Sequence, residues 1–311
     1  MLLPAENFEK LWEEFHAEAE IRPASDYDME VGAIRDGLVK GFSLPILGKR
    51  DFQIRSGELT IVAGQSGHGK SLITGQIALE FASVHVKSCI MSFEMTPART
   101  LDRMISQCVG KTADTDTAID ALQTIGKEIY VLDKVGSVKP SFVYGAIISA
   151  ARDYNCKQIF VDNLMKCCDE FGDAGMNGTK NFIATLCELA KALKCHIWLV
   201  HHVRKSEKTT DTIDKYSIRG AAVVTDQADN IVLLQRNQAK EQKFEEKGFD
   251  LQTDNDEPDA VLTIAKQRNG SWQGKVPLWF NADFLEYCAE PNRPHACFKP
   301  VRIFNNKGEN Q

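Results

Sequence analysis

The amino-acid sequence predicts an α/β protein built on a doubly wound, mostly parallel sheet with a C-terminal β-hairpin. Apolar runs of strand length recur along the chain, and helical patterns separate several of them, as expected for buried parallel strands. The predicted strands are 59–63, 88–93, 129–132, 157–162, 195–201, 229–235 and 260–265. A glycine-rich loop joins the first strand to a helical pattern, which is the context of a phosphate-binding loop.

Length and composition narrow the class of protein. The chain has 311 residues, 43% of them hydrophobic, which is enough for one large α/β domain and a short appendage. The net charge of −6 argues against a basic nucleic-acid coat, so any DNA contact needs local basic loops. The nine cysteines contain no C-x-x-C pair, which favours reduced thiols. Without a signal-peptide pattern or an apolar run of ~20 residues, we expect a cytoplasmic protein.

The first segment predicts an amphipathic helix over residues 5–20, with an apolar stripe of Phe8, Leu11, Trp12 and Phe15. This stripe can pack on the chain's own core or on a neighbouring subunit. A linker around Pro23 follows the helix, and we therefore favour docking on a neighbour. The expected organisation is a helix and linker over 1–30, a core domain over 31–290 and a tail over 291–311.

The glycine-rich loop has the pattern G-x-x-x-x-G-K-S of a P-loop. Its glycines let backbone N–H groups curl around the phosphates of a nucleotide, and the next helix directs its N-terminus at them. Lys70 places a cation on the phosphates, and the Ser71 hydroxyl can bind Mg²⁺. The predicted nucleotide-binding residues are Gly64, Gln65, Ser66, Gly67, His68, Gly69, Lys70 and Ser71.

Two acidic residues lie where predicted strands end, at the carboxyl edge of the predicted parallel sheet, beside the P-loop. Glu94 comes after the strand 88–93, where a carboxylate can deprotonate an attacking water. The alternative is an acid at the start of the next helix. Asp162 ends the strand 157–162 in a Walker B arrangement, which predicts that it holds Mg²⁺ together with Ser71.

The strand 195–201 leads into two histidines and a charged loop. Because adjacent side chains on a strand point to opposite faces, at most one of His201 and His202 faces the site. A polar group there can touch the terminal phosphate. The loop that follows predicts contacts with a nucleic-acid backbone, although a solvated loop is the alternative. Its cations are Arg204, Lys205, Lys208, Lys215 and Arg219.

The C-terminal third adds three features. Lys266 and Arg268 lie two residues apart at a strand end, which predicts two cations on one face and an anion partner. The alternative is a surface salt bridge with a distant acid. Residues 238–259 are rich in acids and predict a solvated excursion between strands. Residues 275–287 predict the β-hairpin.

Six segments, in this order, resemble the RecA-like helicase domain of the DnaB family over about residues 40–287. They are GQSGHGKS, SFEM, FVDNL, VHHVRK, SIRGAAVVTDQADNIVLLQRN and AKQRNGSWQG. A histidine in place of the usual glutamine, and I-R-G followed by a K-x-R turn, make the likeness greatest to phage primase-helicases and the mitochondrial helicase Twinkle. Ala221 and Ala222 replace the glycine and serine usual after I-R-G.

The resemblance implies a homo-oligomeric ring, expected to be a hexamer, that hydrolyses ATP or dTTP with Mg²⁺. It implies movement 5′ to 3′ on single-stranded DNA, duplex unwinding, and a location in the host cytoplasm if a phage encodes the protein. No primase segment is recognised in this sequence, so a separate primase or polymerase is the expected partner. A RecA-like recombination protein and an ATPase scaffold or loader are the alternatives.

The resemblance also implies residue roles by position. Lys70 binds phosphate, Glu94 is the catalytic base, and His202 rather than His201 senses the γ-phosphate. Arg268 is an arginine finger that acts on a neighbouring subunit, with Lys266 beside it. Arg236 stacks on the nucleotide base, and loops 203–217 and 165–180 contact DNA in the central channel.

Overall fold

The computed structural model describes residues 22–36, 41–167, 172–203, 213–218, 221–247 and 256–291. The chain divides into two compact units, Met1–Gly41 and Phe42–Gln311. The predicted helix over residues 5–20 and almost all of the predicted tail lie outside the described residues. Within the described ranges, every helix is too short or too polar to cross a membrane.

In the first unit, the segment predicted as a linker is helical. A 3₁₀ turn at Ala24–Tyr27 leads into helix α1 (Asp28–Arg35). Pro23 precedes this helical segment with extended backbone, a position where proline costs no helical hydrogen bond. Acidic residues in the first turn of α1 suit the positive end of the helix dipole. The proline therefore marks the beginning of a helical segment.

The second unit is built on one mixed sheet. Its strands are β1 (Leu59–Gly64), β2 (Ser88–Ser92), β3 (Ile129–Val131), β4 (Gln158–Asp162), β5 (His196–His202), β6 (Asn230–Arg236), β7 (Ala260–Gln267), β8 (Gly274–Asn281) and β9 (Glu286–Cys288). The order across the sheet is β3-β2-β4-β5-β1-β6-β7-β8-β9. The first six strands pair in parallel and the last three are antiparallel. The predicted mostly parallel sheet and the C-terminal hairpin are confirmed.

Helices cover the sheet on both faces. They are α2 (Lys70–Ala82), α3 (Pro97–Val109), α4 (Thr115–Ile125), α5 (Pro140–Arg152), α6 (Gly172–Leu193), α7 (Ala221–Gln227) and α8 (Gln238–Lys247). Along β1, Ile61 joins an apolar cluster with α5 and α6, whereas Val62 joins another with α2 and α3. Since successive residues of a strand face opposite ways, the sheet is doubly wound, as predicted.

Two predicted irregular segments are partly helical. Residues 172–180, expected to belong to a loop over 165–180, are the first turns of α6. Residues 238–247, expected to be a solvated excursion, form α8. One of the charged residues of this segment, Lys240, is buried and connects α8 to the residues before β7. Lys240 is only 3% exposed, and its Nζ donates to the backbone oxygen of Glu257 and lies 2.8 Å from a carboxylate oxygen of Asp259.

The C-terminal hairpin is tied to the P-loop helix. The Gln76 side chain on α2 donates to Tyr287 O and accepts from Tyr287 N, both at 2.9 Å. The Tyr287 hydroxyl donates to the carbonyl of His68 in the glycine-rich loop at 3.3 Å. Strand β9 therefore holds the loop and its helix in a fixed relation to the antiparallel edge of the sheet.

Glu80, a buried carboxyl group on α2, predicts a dependence of stability on pH. The pKa of Glu80 is raised to about 8, mainly by burial; a hydrogen bond from Gln76 opposes this rise, and the charge of the nearby Glu286 contributes to it. Between the ordinary pKa near 4.5 and about 8, the folded state holds more protons than the unfolded state. The free energy of unfolding should therefore fall as pH rises through this window.

We expect Glu80→Gln to abolish that fall, which should amount to a few kcal/mol because each pKa unit corresponds to about 1.4 kcal/mol. The measurement is urea unfolding at pH 5, 6.5 and 8. Glu188→Gln, an exposed carboxylate on α6, is the control and should behave as the wild type. A fall that survives in Glu80→Gln would show that another group titrates.

Candidate nucleotide-binding site

A cavity of about 440 Å³ opens at the carboxyl ends of the parallel strands. Because β1, β2, β4 and β5 run in the same direction, the residues that follow them meet at one edge of the sheet. The cavity is lined by Ser66, Gly67, Gly69, Lys70, Ser71, Leu72, Glu94, Arg103, Asp162, Asn163, His202 and Leu285. The predicted site residues of the strand ends, Glu94, Asp162 and His202, thus lie together with the P-loop.

The P-loop conformation requires glycine. Gly67 and Gly69 have φ near +80°, the left-handed region that other residues rarely adopt. A Cβ atom at Gly69 would lie 2.2 Å from the Tyr287 hydroxyl, and one at Gly64 would lie 2.4 Å from the carbonyl of Leu234. The loop is therefore packed against β6 and β9 on one side and presents backbone to the cavity on the other.

Lys70 is the buried cation of the cavity. Its Nζ donates to the carbonyls of Gly64 at 2.9 Å and Gln65 at 2.8 Å. Burial lowers the pKa of Lys70, whereas the carboxylates of Asp162 and Glu94 raise it. An anion beside Nζ would replace neutral carbonyl partners by a charge-assisted hydrogen bond, so the position favours a phosphate.

Ser71 and Asp162 form the pair of oxygen donors expected for a metal ion. The Ser71 hydroxyl donates to Oδ2 of Asp162 at 2.5 Å. Asp162 is 6% exposed, and burial raises its pKa most, while the hydrogen bond from Ser71 lowers it. A hydroxyl and a carboxylate converging on one point are hard oxygen ligands, which Mg²⁺ prefers. The residues present therefore fit the predicted magnesium ion.

Asn163 connects Glu94 to His202, and the sequence did not single it out. Its Nδ2 donates to Oε1 of Glu94 at 2.6 Å and lies 3.0 Å from Nε2 of His202. With Nε2 as the acceptor, the imidazole proton is on Nδ1, which lies 3.4 Å from Nζ of Lys70. Nδ1 and Nζ then both carry protons and do not form a hydrogen bond with each other, so the hydrogen-bonded chain runs from His202 through Asn163 to the candidate base.

The cavity lining adds three more residues that the sequence did not indicate, and one of them, Leu72, directly follows Ser71 in α2. Arg103 on α3 and Leu285 at the hairpin turn both line the cavity. Arg103 comes nine positions after Glu94, yet no motif marks it. Leu285 lies far along the chain and carries no chemical signature. Asn163 directly follows Asp162, so a polar residue after the Walker B acid was the available signal.

The two histidines of β5 have different surroundings. His202 lines the cavity, whereas His201 is only 1% exposed and is absent from the lining. This agrees with the expectation that adjacent side chains face opposite ways, and His202 is the one placed at the site.

Arg236 and His68 lie at the P-loop but outside the cavity lining. Arg236 donates from Nη1 to the carbonyl of Gly67 at 3.0 Å and from Nε to Glu241 at 2.8 Å. His68 is 3% exposed, and burial, followed by the charge of Lys70, lowers its pKa. Neither residue lines the cavity. Stacking of Arg236 on a nucleotide base stays a prediction.

Lys266 and Arg268 lie at the opposite edge of the sheet. Strand β7 runs antiparallel to β6, with Gln267 opposite Asn230 at the beginning of β6, and a strand of this length spans about 20 Å. Nη1 of Arg268 lies 2.9 Å from a carboxylate oxygen of Asp229. The salt bridge with a distant acid, the alternative for this pair, is therefore present for Arg268.

Lys266 has a different environment. Its Nζ donates to the carbonyls of Thr225, Asp226 and Ala228 at 2.7, 3.3 and 2.7 Å, and so binds the C-terminal end of α7. Burial, followed by the charge of Arg268, lowers the pKa of Lys266. Its proposed contact with a neighbour's phosphate would have to compete with these three carbonyls.

The predicted DNA-contacting loop begins directly after His202. Val203 and Ile218, both buried, form an antiparallel bridge that closes its base. Lys215 lies in a 3₁₀ turn at Lys215–Ser217, which Asp214 caps. The other predicted cations, Arg204, Lys205, Lys208 and Arg219, lie outside the described residues.

A mostly parallel sheet with a P-loop after its central strand β1, and with acids at the ends of β4 and β2, defines a P-loop protein of the RecA-like class. The family model for the DnaB-like helicase C-terminal domain matches residues 51–289, and the chain belongs to this family.

Two solved structures have the same fold. One, described as an ATPase domain, superposes with a TM-score of 0.71 at 15% identity, covering 86% of this chain and 99% of that one. The other, a structure of a DnaB-like replicative helicase and its interactions with primase, gives a TM-score of 0.68 at 16% identity, covering 92% of this chain and 72% of that one.

The environment of Lys70 generates a direct test of the site. We expect Lys70→Ala to reduce nucleoside triphosphate hydrolysis to less than about a tenth of the wild-type rate, because a lost charge-assisted phosphate contact costs several kcal/mol in a transition state. Lys127→Ala, an exposed lysine after α4, is the matched control. Retained hydrolysis in Lys70→Ala, measured as phosphate release, would contradict the assignment.

Proposed function

We propose that the protein is a ring-shaped replicative DNA helicase that uses nucleoside triphosphate hydrolysis to move along single-stranded DNA and unwind duplex. The observation that carries the proposal is the convergence of the P-loop, Glu94, Asp162 and His202 on one cavity, in a chain of the DnaB-like helicase family. The substrate is ATP or dTTP, and the direction implied by the family resemblance is 5′ to 3′.

Within one subunit, the cavity residues divide the work of phosphoryl transfer. The P-loop amides and Lys70 bind the phosphates. Ser71 and Asp162 would hold Mg²⁺, which neutralises charge that develops on the phosphates. Glu94 accepts a proton from the attacking water, and the hydrogen bond from Asn163 fixes the orientation of its carboxylate.

The contacts of His202 suggest how hydrolysis of the nucleotide is coupled to the loop that contacts DNA. With its proton on Nδ1, His202 can donate to a phosphate oxygen beside Lys70 while Nε2 accepts from Asn163. The next residue, Val203, forms the base of the charged loop with Ile218. Loss of the terminal phosphate would change the hydrogen bonding of His202 directly at the start of that loop.

The position of Arg268 requires a second subunit. It lies at the edge of the sheet opposite its own cavity, and its side chain is 46% exposed. A neighbour in a ring can bring its cavity to this arginine, whose planar fork suits two phosphate oxygens. Docking of the predicted helix over residues 5–20 on another subunit of a hexamer is part of the same proposal.

DNA and protein partners complete the proposal. The loop over 203–217 would contact the phosphates of single-stranded DNA through its lysines and arginines, and a primase or polymerase would be supplied as a separate chain. A motor of this kind hydrolyses nucleotide faster when single-stranded DNA is bound.

The experiment that tests the proposal compares hydrolysis with and without single-stranded DNA and measures displacement of a labelled strand from a forked duplex. We expect stimulation of hydrolysis about tenfold or more and displacement that requires nucleotide and Mg²⁺. Lys70→Ala is the inactive control. DNA binding with stimulated hydrolysis but no displacement would favour a RecA-like recombination protein, and hydrolysis indifferent to DNA would favour a scaffold or loader.

The shared site between subunits generates a complementation test. Arg268→Ala should bind nucleotide but hydrolyse it about 10³-fold more slowly, at the lower end of the effect of arginine fingers. Mixed with Glu94→Gln subunits, it should regain activity, because some interfaces then pair an intact Glu94 with an intact Arg268. Absence of recovery in mixtures shown to co-assemble would refute an arginine finger supplied by the neighbour.

A further inference from the structure

We propose that Asp229 is a positioning residue for hydrolysis, because it holds the guanidinium of Arg268 in the orientation that a neighbouring subunit's phosphate requires. The inference rests on the proposed function of Arg268. It adds a residue that the motifs leave without a role and a physical link between two nucleotide sites.

Asp229 is buried between two strands, which makes its carboxylate a rigid partner. The residue is 3% exposed, and it lies directly before β6. One oxygen lies 2.9 Å from Nη1 of Arg268, and the other accepts from the backbone N–H of Leu59 at 2.9 Å. Each carboxylate oxygen thus has its own partner, so the side chain has little freedom to rotate.

The backbone of Arg268 is fixed by the same residue. Arg268 N donates to the carbonyl of Asp229 at 3.0 Å, and Asp229 N donates to the carbonyl of Leu59 at 3.1 Å. Asp229 therefore holds both the main chain and the side chain of Arg268 against the beginning of β1.

A second buried carboxylate supports the turn that follows. Glu58 is 4% exposed, and it accepts from Asn269 at 2.7 Å and from Asn230 at 2.8 Å. The residues next to Arg268 and Asp229 are thereby tied to one point immediately before β1. The turn cannot shift without breaking hydrogen bonds to buried carboxylates, which is costly.

The remaining donors of Arg268 are left for an external anion. Among the described residues, Nη1 contacts Asp229, and Nη2 makes only a 3.5 Å contact with the carbonyl of Gln227. Nearly half of the side chain is exposed, and a guanidinium has five N–H donors. Fixing part of the group in advance reduces the entropy lost when the rest binds phosphate, which is how positioning increases a rate.

Asp229 binds the first residue of β1, and the P-loop begins at the last residue of the same strand. β1 runs from Leu59, bonded to Asp229, to Gly64, the first glycine of the loop. The arginine that serves the neighbour's phosphate and the loop that binds the subunit's own phosphate are thus attached to the same buried strand.

The test is a double-mutant cycle on the assembled protein, with single-stranded DNA present. Asp229→Asn keeps the shape and an oxygen acceptor but removes the charge. We expect kcat to fall about 100-fold, the size of effect seen when reacting groups are misplaced by about 1 Å, with KM for nucleotide changed less than about twofold. Asp229→Asn/Arg268→Ala should be no slower than Arg268→Ala alone. The control Asp153→Asn changes an exposed carboxylate after α5 that accepts from Ser149.

A folding defect is separated from a positioning defect by mixing subunits. Asp229→Asn retains an intact Glu94, so co-assembly with Glu94→Gln subunits, which retain an intact Arg268, should restore hydrolysis. Mixtures with a misfolded Asp229→Asn subunit would not regain hydrolysis. If hydrolysis does not recover in mixtures whose co-assembly has been demonstrated, the positioning role is overturned.

The remaining outcomes are also decisive. A wild-type kcat in Asp229→Asn beside an inactive Arg268→Ala overturns the positioning role and leaves the arginine finger intact. An increased kcat in Asp229→Asn means that the pair restrains Arg268, which also overturns the inference. Full activity in Arg268→Ala removes the arginine finger itself, and the role of Asp229 falls with it.

Discussion

Strand β1 is hydrogen-bonded along both of its edges, to β5 and to β6, and the functional geometry depends on this constraint. All six of its residues are buried, and the parallel registers on either side fix where each neighbouring strand ends. The P-loop begins at the last residue of this strand, and His202 lies beside that residue in the register with β5. The cavity is therefore a consequence of sheet register more than of loop conformation.

The electrostatics of the cavity follow from the same burial. Lys70 and Asp162, each 6% exposed, place one cation and one carboxylate in the buried part of the cavity, and the exposed Glu94 adds a second carboxylate. Burial disfavours the charged forms of both Lys70 and Asp162, while their mutual attraction opposes that effect. Such a site gains from a ligand that brings both negative phosphates and a divalent cation, because each supplies the counter-charge that the protein groups lack.

The fold could be predicted from the sequence because buried parallel strands are continuous apolar runs, and every predicted strand is found. The P-loop, Glu94 and Asp162 were also identified, since each follows a strand and parallel strands bring their ends together. The sequence does not identify Asn163, Arg103 or Asp229, because their importance arises from contacts between distant segments. The acidic composition of residues 238–247 predicts a solvated segment, and the family resemblance implies a DNA loop that includes residues 172–180, whereas both segments are helical. A buried lysine such as Lys240 cannot be recognised in the sequence, because its partners lie in another segment.

The contact between the Tyr287 hydroxyl and the P-loop joins residues separated by 219 positions. The tyrosine occupies the space that a side chain at position 69 would need, so the loop and the hairpin complete each other's packing. During synthesis from the N-terminus, the loop emerges from the ribosome long before this partner. The packed form of the loop therefore becomes available only when nearly the whole domain has been made. A ligand that requires this form of the loop can therefore bind only after nearly the whole domain has been made, and it cannot guide early folding.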